Sequence, residues 1–306
     1  MTIICDVIIP CYKSNHELLI NAIQSVLQDR RSDQFLITLV IDCDQCDYTF
    51  VTDRFPQINI IYNETNLGTR ISAQRAIDHT TAPFFIMVDH DDEITKDAIS
   101  DMIMLADGYD VVKPKIDIQH RVRFYRKGRY YHYIHDCGVL YRRSTLLDHN
   151  IRYRRDVKIF DNFPLWLQYN LYGRVRYVDF VSYKWNYVED SVSTKIWSSV
   201  ELCDMLETLV DEVNEIFDDC NVHTSRASLI EAVTIFYLYS LIIESQLTND
   251  DRMCKMFARY IVRHKRAFNN LRMNTFKRLY NDIVMPFNLD ASIVEMMRFY
   301  KRGLTL

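Results

Sequence analysis

An apolar run, Pro83-Phe84-Phe85-Ile86-Met87-Val88, leads into Asp89-His90-Asp91-Asp92. Carboxylates in Asp-x-Asp spacing at a strand end can share one divalent cation through hard oxygen ligands, and that cation can hold a diphosphate. A solvated loop accounts for most such pairs, so the surroundings must decide. Cys43-x-x-Cys46 is the one local cysteine pair among eight cysteines. A zinc or redox role needs a second pair or a thioredoxin-like context, and neither is visible. Two stretches are basic. Residues 113–158 hold 13 Lys and Arg against 4 Asp and Glu, and residues 251–306 hold 12 against 4, in a chain of net charge -4. Solvated helical faces are the ordinary reading of such charge. The first stretch, however, interleaves Arg with Tyr (RVRFYRKGRYYHY), a mixture suited to phosphate contacts and base stacking.

The elements that would carry these residues are visible in the periodicity. Residues 6–10 (DVIIP), 35–42, 58–62 and 83–88 read as strands. Residues 17–28 place Leu18, Leu19, Ala22, Ile23, Val26 and Leu27 on one helical face, and 72–79 also reads as helix. Strands alternating with helices predict a mostly parallel α/β sheet, in which ligands bind beyond the carboxyl ends of the strands. Asp42 and Asp89 both follow such ends. Residues 113–197 are mixed and rich in Arg and Tyr. From about Trp197 the pattern is helical, over 201–217, 225–246, 251–266 and shorter pieces to Arg302, interrupted by Pro286. The expected organisation is 1–197 as an α/β domain, with halves 1–112 and 113–197, and 198–306 as a helical extension.

The 306 residues are 48% hydrophobic and 25% charged, enough to bury a sizeable core. The opening MTIICDVIIP has no basic segment ahead of its apolar residues, so no secretory signal is expected. The longest apolar tract, near 232–243, is too short to span a bilayer, which takes about 20 residues. Scattered cysteines favour a reducing compartment over a disulfide framework. The expected location is the cytoplasm, that of the host if a phage encodes the chain.

Four segments together resemble glycosyltransferase family two. DVIIPCYKSNHELLINAIQSVLQ is similar to that family's first strand and helix, and Val40-Ile41-Asp42-Cys43-Asp44-Gln45-Cys46-Asp47 to its V-V-D-D-G-S-x-D turn. Asn66-Leu67-Gly68 with Ala73-Gln74-Arg75-Ala76 resembles N-x-G-x-x-x-A-R-N, and Val88-Asp89-His90-Asp91-Asp92 resembles L-D-x-D-D. The resemblance implies a GT-A fold, a Rossmann-like, mostly parallel sheet sandwiched by helices, and a nucleotide-sugar donor, usually UDP-linked. It implies that Pro10 and Tyr12 line the nucleotide pocket, and that Asp42 accepts from the nucleobase. Gly68 would allow close backbone approach, and Arg75 would lie near the donor. Asp89 and Asp91 would hold Mg²⁺ or Mn²⁺ against the diphosphate. Cys43 and Asp44 depart from the family's Asp and Gly. Without the family, Asp42 reads as a turn cap and Arg75 as a surface ion pair.

An inverting member of the family takes the acceptor's proton with an acid from an E-D pair, and Phe160-Asp161-Asn162-Phe163-Pro164-Leu165-Trp166 occupies that place. The strict base position is Asn162, which cannot accept a proton in this way. A one-residue shift makes Asp161 the base; otherwise the mechanism differs, with retention as one outcome. Asp161 also reads as a cap before a proline-started helix. The family's histidine, sometimes a metal ligand, falls on Val188, and His135-Asp136 is the upstream pair that could compensate.

The resulting expectation is a metal-dependent glycosyltransferase with inversion as the outcome. Its favoured acceptor is polyanionic, a hydroxylated base of DNA, as in phage-type DNA-modifying members. A surface polysaccharide or a lipid-linked glycan is the alternative acceptor. A non-catalytic binding protein on a degenerate GT-A fold is the rival from another class.

Overall fold

The computed structural model describes residues 2–43, 46–119, 130–131, 135–159, 161–189, 191–192, 195–220, 225–265 and 289–306. Asp44, the basic residues 121–129, Phe160 and the 266–288 part of the tail with Pro286 lie outside them. The chain falls into two compact units, 1–194 and 195–306.

In the first unit a nine-stranded sheet runs in the order β3-β2-β1-β4-β8-β6-β9-β5, with β7 paired to β6. The strands are β1 (Cys5–Cys11), β2 (Phe35–Ile41), β3 (Asn59–Tyr62), β4 (Phe84–Met87), β5 (Glu93–Ile94), β6 (Val111–Ile118), β7 (Tyr130–Tyr131), β8 (Leu140–Arg142) and β9 (Val175–Trp185). β1 pairs in parallel with β2 and β4, and β2 with β3. β8 runs antiparallel to both β4 and β6, while β6 and β9 are parallel. This is the mostly parallel α/β sheet that the alternating pattern predicts, and its strand order reverses at β1 and β4.

Central β1 is buried along its whole length, as a strand covered on both faces must be. Helix α1 (His16–Leu27) buries Leu19, Ala22, Ile23 and Val26. Its N-terminus is closed by the Asn15 side chain, which accepts from the Glu17 and Leu18 amides. Acids fasten distant segments. Asp6 accepts from the Thr81 and Ala82 amides at 2.7 and 2.8 Å. Asp29 accepts from the Ser100 amide at 3.0 Å, and Asp110 from the Arg174 amide at 2.7 Å. Helices α2 (Thr49–Arg54), α3 (Thr69–Asp78), α4 (Ala98–Met104), α5 (Arg143–Asp148) and α6 (Phe163–Tyr172) complete this unit. α2 and α4 are too short for periodicity to announce them.

The second unit contains α7 (Ser199–Asp219), α8 (Ser225–Glu244), α9 (Asp251–Arg263) and α10 (Leu289–Thr305). A reciprocal Ser198–Glu201 capping box starts α7. Tyr239, Phe257 and Phe299 form a ring cluster with centroids 5.6–5.7 Å apart, tying α8, α9 and α10 together. Several of the tail's cations serve this unit. Arg252 pairs with Asp204 and Glu207, Arg263 with Asp218, and Arg302 with Asp251. No described helix is long and apolar enough to cross a membrane.

One backbone approach positions the acidic loop. Gly138 has φ +69°, and a Cβ there would lie 2.6 Å from the Tyr183 Cβ. Its amide donates to the Met87 carbonyl at 2.9 Å, and its carbonyl accepts from Ser182 Oγ at 2.8 Å. Gly138→Ala is expected to cost about 1–3 kcal/mol through strain and overpacking. Gly108→Ala, at φ +68° but with its nearest neighbour 3.6 Å away on the Arg174 side chain, carries the backbone penalty alone. Urea midpoints of the two variants should separate in that order.

Candidate functional site

The carboxyl ends of β1, β2 and β4 deliver Tyr12, Asp42 and Asp89 to one edge of the sheet, as the strand-order rule requires. Pro10 lies buried in β1 and Tyr12 just beyond it is exposed. Asp42 is buried, with both carboxylate oxygens engaged. Oδ1 accepts from Asn63 Nδ2 at 2.9 Å and the Leu67 amide at 2.8 Å, and Oδ2 from the Gly68 amide at 2.9 Å. Asp42 thus holds the turn that opens α3. Oδ2, with one of these contacts, keeps acceptor capacity for a further donor.

Gly68 sits at φ +81°, with the Asp156 carboxyl where a Cβ would be. Glycine there lets Asp156 reach the N-terminus of α3, where the Arg70 amide donates to it. Arg75 Nη1 donates to Asn63 Oδ1 at 2.6 Å and to the Tyr62 carbonyl at 3.1 Å. Arg75 therefore buttresses Asn63, which in turn holds Asp42. The more deeply placed cation is Arg70, buried with its guanidinium 5.0 Å from the Tyr153 ring centroid. Its charge acts on both Asp156 and Asp161.

Antiparallel β8 returns the chain to the acidic loop. Met87 bridges Cys137, so His135, Asp136 and Cys137 arrive beside Asp89. The Asp89 amide donates to the Tyr183 hydroxyl at 2.9 Å. Asn186 closes the loop from β9's end, its amide donating to Asp92 Oδ1 at 2.8 Å and its side chain to the Asp91 carbonyl at 3.0 Å. Asp92 is thus the member that fastens the loop to β9. Asp136 is wholly buried and accepts from the Tyr141 and Tyr153 hydroxyls at 3.1 and 2.5 Å. Lys113 lies below it and donates to the His135 carbonyl at 2.7 Å.

Electrostatics bind these groups into one system. Burial, then the charges of Asp91 and Asp161, push the Asp89 carboxyl up to about 7. Burial raises Asp136 to about 7 as well, against its tyrosine bonds and Lys113. Asp161 is raised by burial to about 6, with Arg70 pulling the other way. Burial lowers Lys113 to about 8 and His135 to about 4, so this imidazole is neutral at pH 7. Asp161 therefore lies within electrostatic reach of Asp89 and Asp136, immediately ahead of α6. The cap position of α6 is Asn162, which makes no side-chain cap bond; its Oδ1 instead accepts from the Asp136 amide at 3.4 Å. Asp89, His135 and Cys137 also bring three possible ligand atoms within 4.8 Å of one another.

The site thus gathers Asp89, Asp91, Asp92, Asp136 and Asp161, while Asp42, Gly68 and Arg75 form a neighbouring cluster with Asn63. Sequence reading missed Asn63, Arg70, Asp156 and the tyrosines around Asp136. Only Asn63 carried a local signal, as a polar residue directly after a strand end. Val188 offers no metal-ligating atom. Of the cations in 113–158, Lys113 and Arg142 serve backbone carbonyls, Lys115 pairs with Asp179, and Arg143 contacts Thr80.

A family model described as glycosyl transferase family 2 matches residues 6–165. No curated protein matches in sequence. Among solved structures, residues 1–349 of S. aureus TarS in complex with UDP-GlcNAc match with TM-score 0.71 and 15% identity, covering 99% of this chain and 91% of that one. The same fragment in complex with UDP matches with TM-score 0.65 and 15% identity over the same shares. A structure of S. aureus TarS matches at 0.66 and 14%, covering 99% of this chain and 55% of that one, so the present chain spans about half its length. At these identities the likeness is one of fold.

The raised carboxyls set a pH dependence of stability. A group protonated more readily when folded contributes stability below its unfolded pKa, about 4, and loses it as pH rises through the folded value. In metal-free buffer the first unit should therefore lose stability between about pH 4 and pH 7. Asp89→Asn should flatten that slope and be the more stable form at pH 8. Urea unfolding in chelator across this range measures both.

Proposed function

Since the chain belongs to glycosyl transferase family 2 and is a glycosyltransferase, we propose that it moves a sugar from a UDP-linked donor to an acceptor hydroxyl with inversion. The observation that carries the reading is the convergence of Asp89, Asp91 and Asp161 at the carboxyl edge of the sheet. The UDP assignment is supported by the fold shared with TarS structures that hold UDP-GlcNAc and UDP. On this reading Tyr12 and Pro10 flank the nucleotide, and Asp42 Oδ2 accepts from the base.

The donor set fits a hard dication. Asp89 is raised by burial and then by its neighbours' negative charge, and a cation between Asp89 and Asp91 would relieve that repulsion. Mg²⁺ or Mn²⁺ held there would supply Lewis-acid stabilisation of the departing diphosphate. Asp161 takes the acceptor proton. The acceptor oxygen then bonds the anomeric carbon as the bond to the diphosphate breaks, and that electron pair leaves with UDP. A carboxyl raised to about 6 is a better base than an ordinary one and still largely ionised at pH 7. Arg70 keeps it ionised. Asn162, one residue on, is spent on the Asp136 backbone.

The acceptor we infer is polyanionic, a hydroxylated base of DNA flipped towards the donor. The support is Arg121, Arg123, Arg126, Lys127 and Arg129, interleaved with Phe124 and Tyr125, in the half proposed to bind acceptors. Cations committed to ion pairs inside the second unit lend this reading nothing.

Nucleotide release from UDP- and GDP-sugars, with Mn²⁺ and either hydroxymethylated DNA, unmodified DNA or simple glycans, tests it. Stimulation by hydroxymethylated DNA alone is the expected result. Stimulation by a glycan reassigns the acceptor to saccharide assembly, and no release with any donor favours a non-catalytic binding protein. Asp91→Ala should abolish metal-dependent release, and Asp161→Asn should lower kcat about 10²–10⁴-fold while leaving UDP binding within a few-fold.

A further inference from the structure

We propose that Asp89, His135 and Cys137 form a second metal site that takes a borderline-soft cation, Zn²⁺, distinct from the hard-cation pair Asp89 and Asp91. One carboxylate oxygen, one ring nitrogen and one sulfur lie within 4.8 Å of one another. On a tetrahedral zinc with bonds of about 2.0–2.3 Å, ligand atoms sit roughly 3.5 Å apart. Side-chain adjustments of about an ångström close that gap. The backbone already sets the approach, because Met87 bridges Cys137 and Asp89 lies two residues beyond Met87. His135 and Cys137 are 4% and 6% exposed, and the imidazole is flanked by the Tyr183 and Trp185 rings at 5.3 and 5.6 Å. Neutral imidazole and thiolate are ligands that hard Mg²⁺ does not favour and Zn²⁺ does.

The thiol of Cys137 is hydrogen-bonded to the Asp89 carboxylate. On coordination the S–H bond breaks, its proton passes to solvent, and the sulfur electron pair forms the Zn–S bond. A dication makes thiolate the favoured form even where burial alone protects the thiol. Three protein ligands leave a fourth position open for water or a ligand oxygen. Because Asp89 belongs to both ligand sets, Zn²⁺ competes with the ion at Asp89 and Asp91 and inhibits transfer. This last consequence rests on the function proposed above; the site itself does not.

The test is a Co²⁺ titration of the full chain, stripped of metal, in a Cys43→Ser/Cys46→Ser background that removes the two exposed thiols. A thiolate-to-cobalt charge-transfer band that saturates at one ion per chain, with the visible bands of tetrahedral cobalt, is expected, and Zn²⁺ should displace it. Absence of that band overturns the proposal before any site variant is made. Cys137→Ser, nearly isosteric, should remove the charge-transfer band, and His135→Gln should weaken binding at least about tenfold, at the lower end of what even a supporting residue contributes. A band unchanged in both variants also overturns it. Zn²⁺ should inhibit nucleotide release, and Cys137→Ser should relieve that inhibition relative to its own zinc-free rate. Cobalt binding without inhibition rejects the competition while upholding the site, and a chain inactive with every donor counts against the transferase reading alone.

Discussion

Like-charge crowding at the carboxyl edge of the sheet governs the rest of this molecule. Burial, and then the charges of Asp91, Asp161 and Asp136, make the Asp89 carboxyl harder to ionise, and burial with the charge of Asp161 does the same to Asp136. Coulomb repulsion between close charges grows with burial, because solvent no longer screens it fully. Such an arrangement persists only if the scaffold holds the acids in place. Two tyrosine hydroxyls and Lys113 stabilise Asp136 from below, and Arg70 offsets Asp161 from the side. The dication proposed for Asp89 and Asp91 is the remaining counter-charge that this arrangement calls for.

The scaffold achieves this by combining two strand directions. Parallel β1, β2 and β4 present their carboxyl ends together, and loops leaving those ends carry Tyr12, Asp42 and Asp89. Residues 135–137, just ahead of antiparallel β8, join the cluster through the parallel Met87–Cys137 bridge. β9 then contributes Tyr183 and Asn186, which hold the backbone of the acidic loop rather than its charges. Gly138 is the hinge of this construction, because only a residue without a side chain lets the β8 approach pass so close to Tyr183.

What was legible in the sequence follows from range. β1, β2 and β4 were readable because burial leaves continuous apolar runs, the first helix because its apolar residues recur on one face, and the polar clusters because each follows its strand directly. Asp42, Gly68 and Asp89 come from such local motifs. Arg70 and Asp156 did not announce themselves, because their importance comes from contacts across many residues: Asp156 with the start of α3, and Arg70 with Tyr153 and Asp161. The misfit at Asn162 has a local cause. That residue occupies the cap position of α6 and faces the Asp136 amide, which leaves Asp161 as the carboxyl within reach of Asp89. The partners of the tail's cations were hidden for the same reason of range, since Arg252 and Arg263 find their acids on α7, some 45 residues upstream.

A division among the aspartates separates architecture from chemistry. Asp6, Asp29, Asp42, Asp92 and Asp110 each accept from a backbone amide that lies at least 25 residues away in the chain. A carboxylate spent on such amides is a fixed strut, although burial still raises Asp6 and Asp92. Asp89 instead shares its carboxylate with a thiol that a metal can deprotonate, and Asp161 shares its own with local amides at the start of α6. Of the two, only Asp89 reaches a distant segment, through the Cys137 thiol. An amide at Asp161 would remove repulsion without losing a long-range bond, since its own bonds are to local amides. Acids raised by burial and by one another's charge, with few backbone amides to hold, are what the ligand role proposed for Asp89 and Asp161 requires.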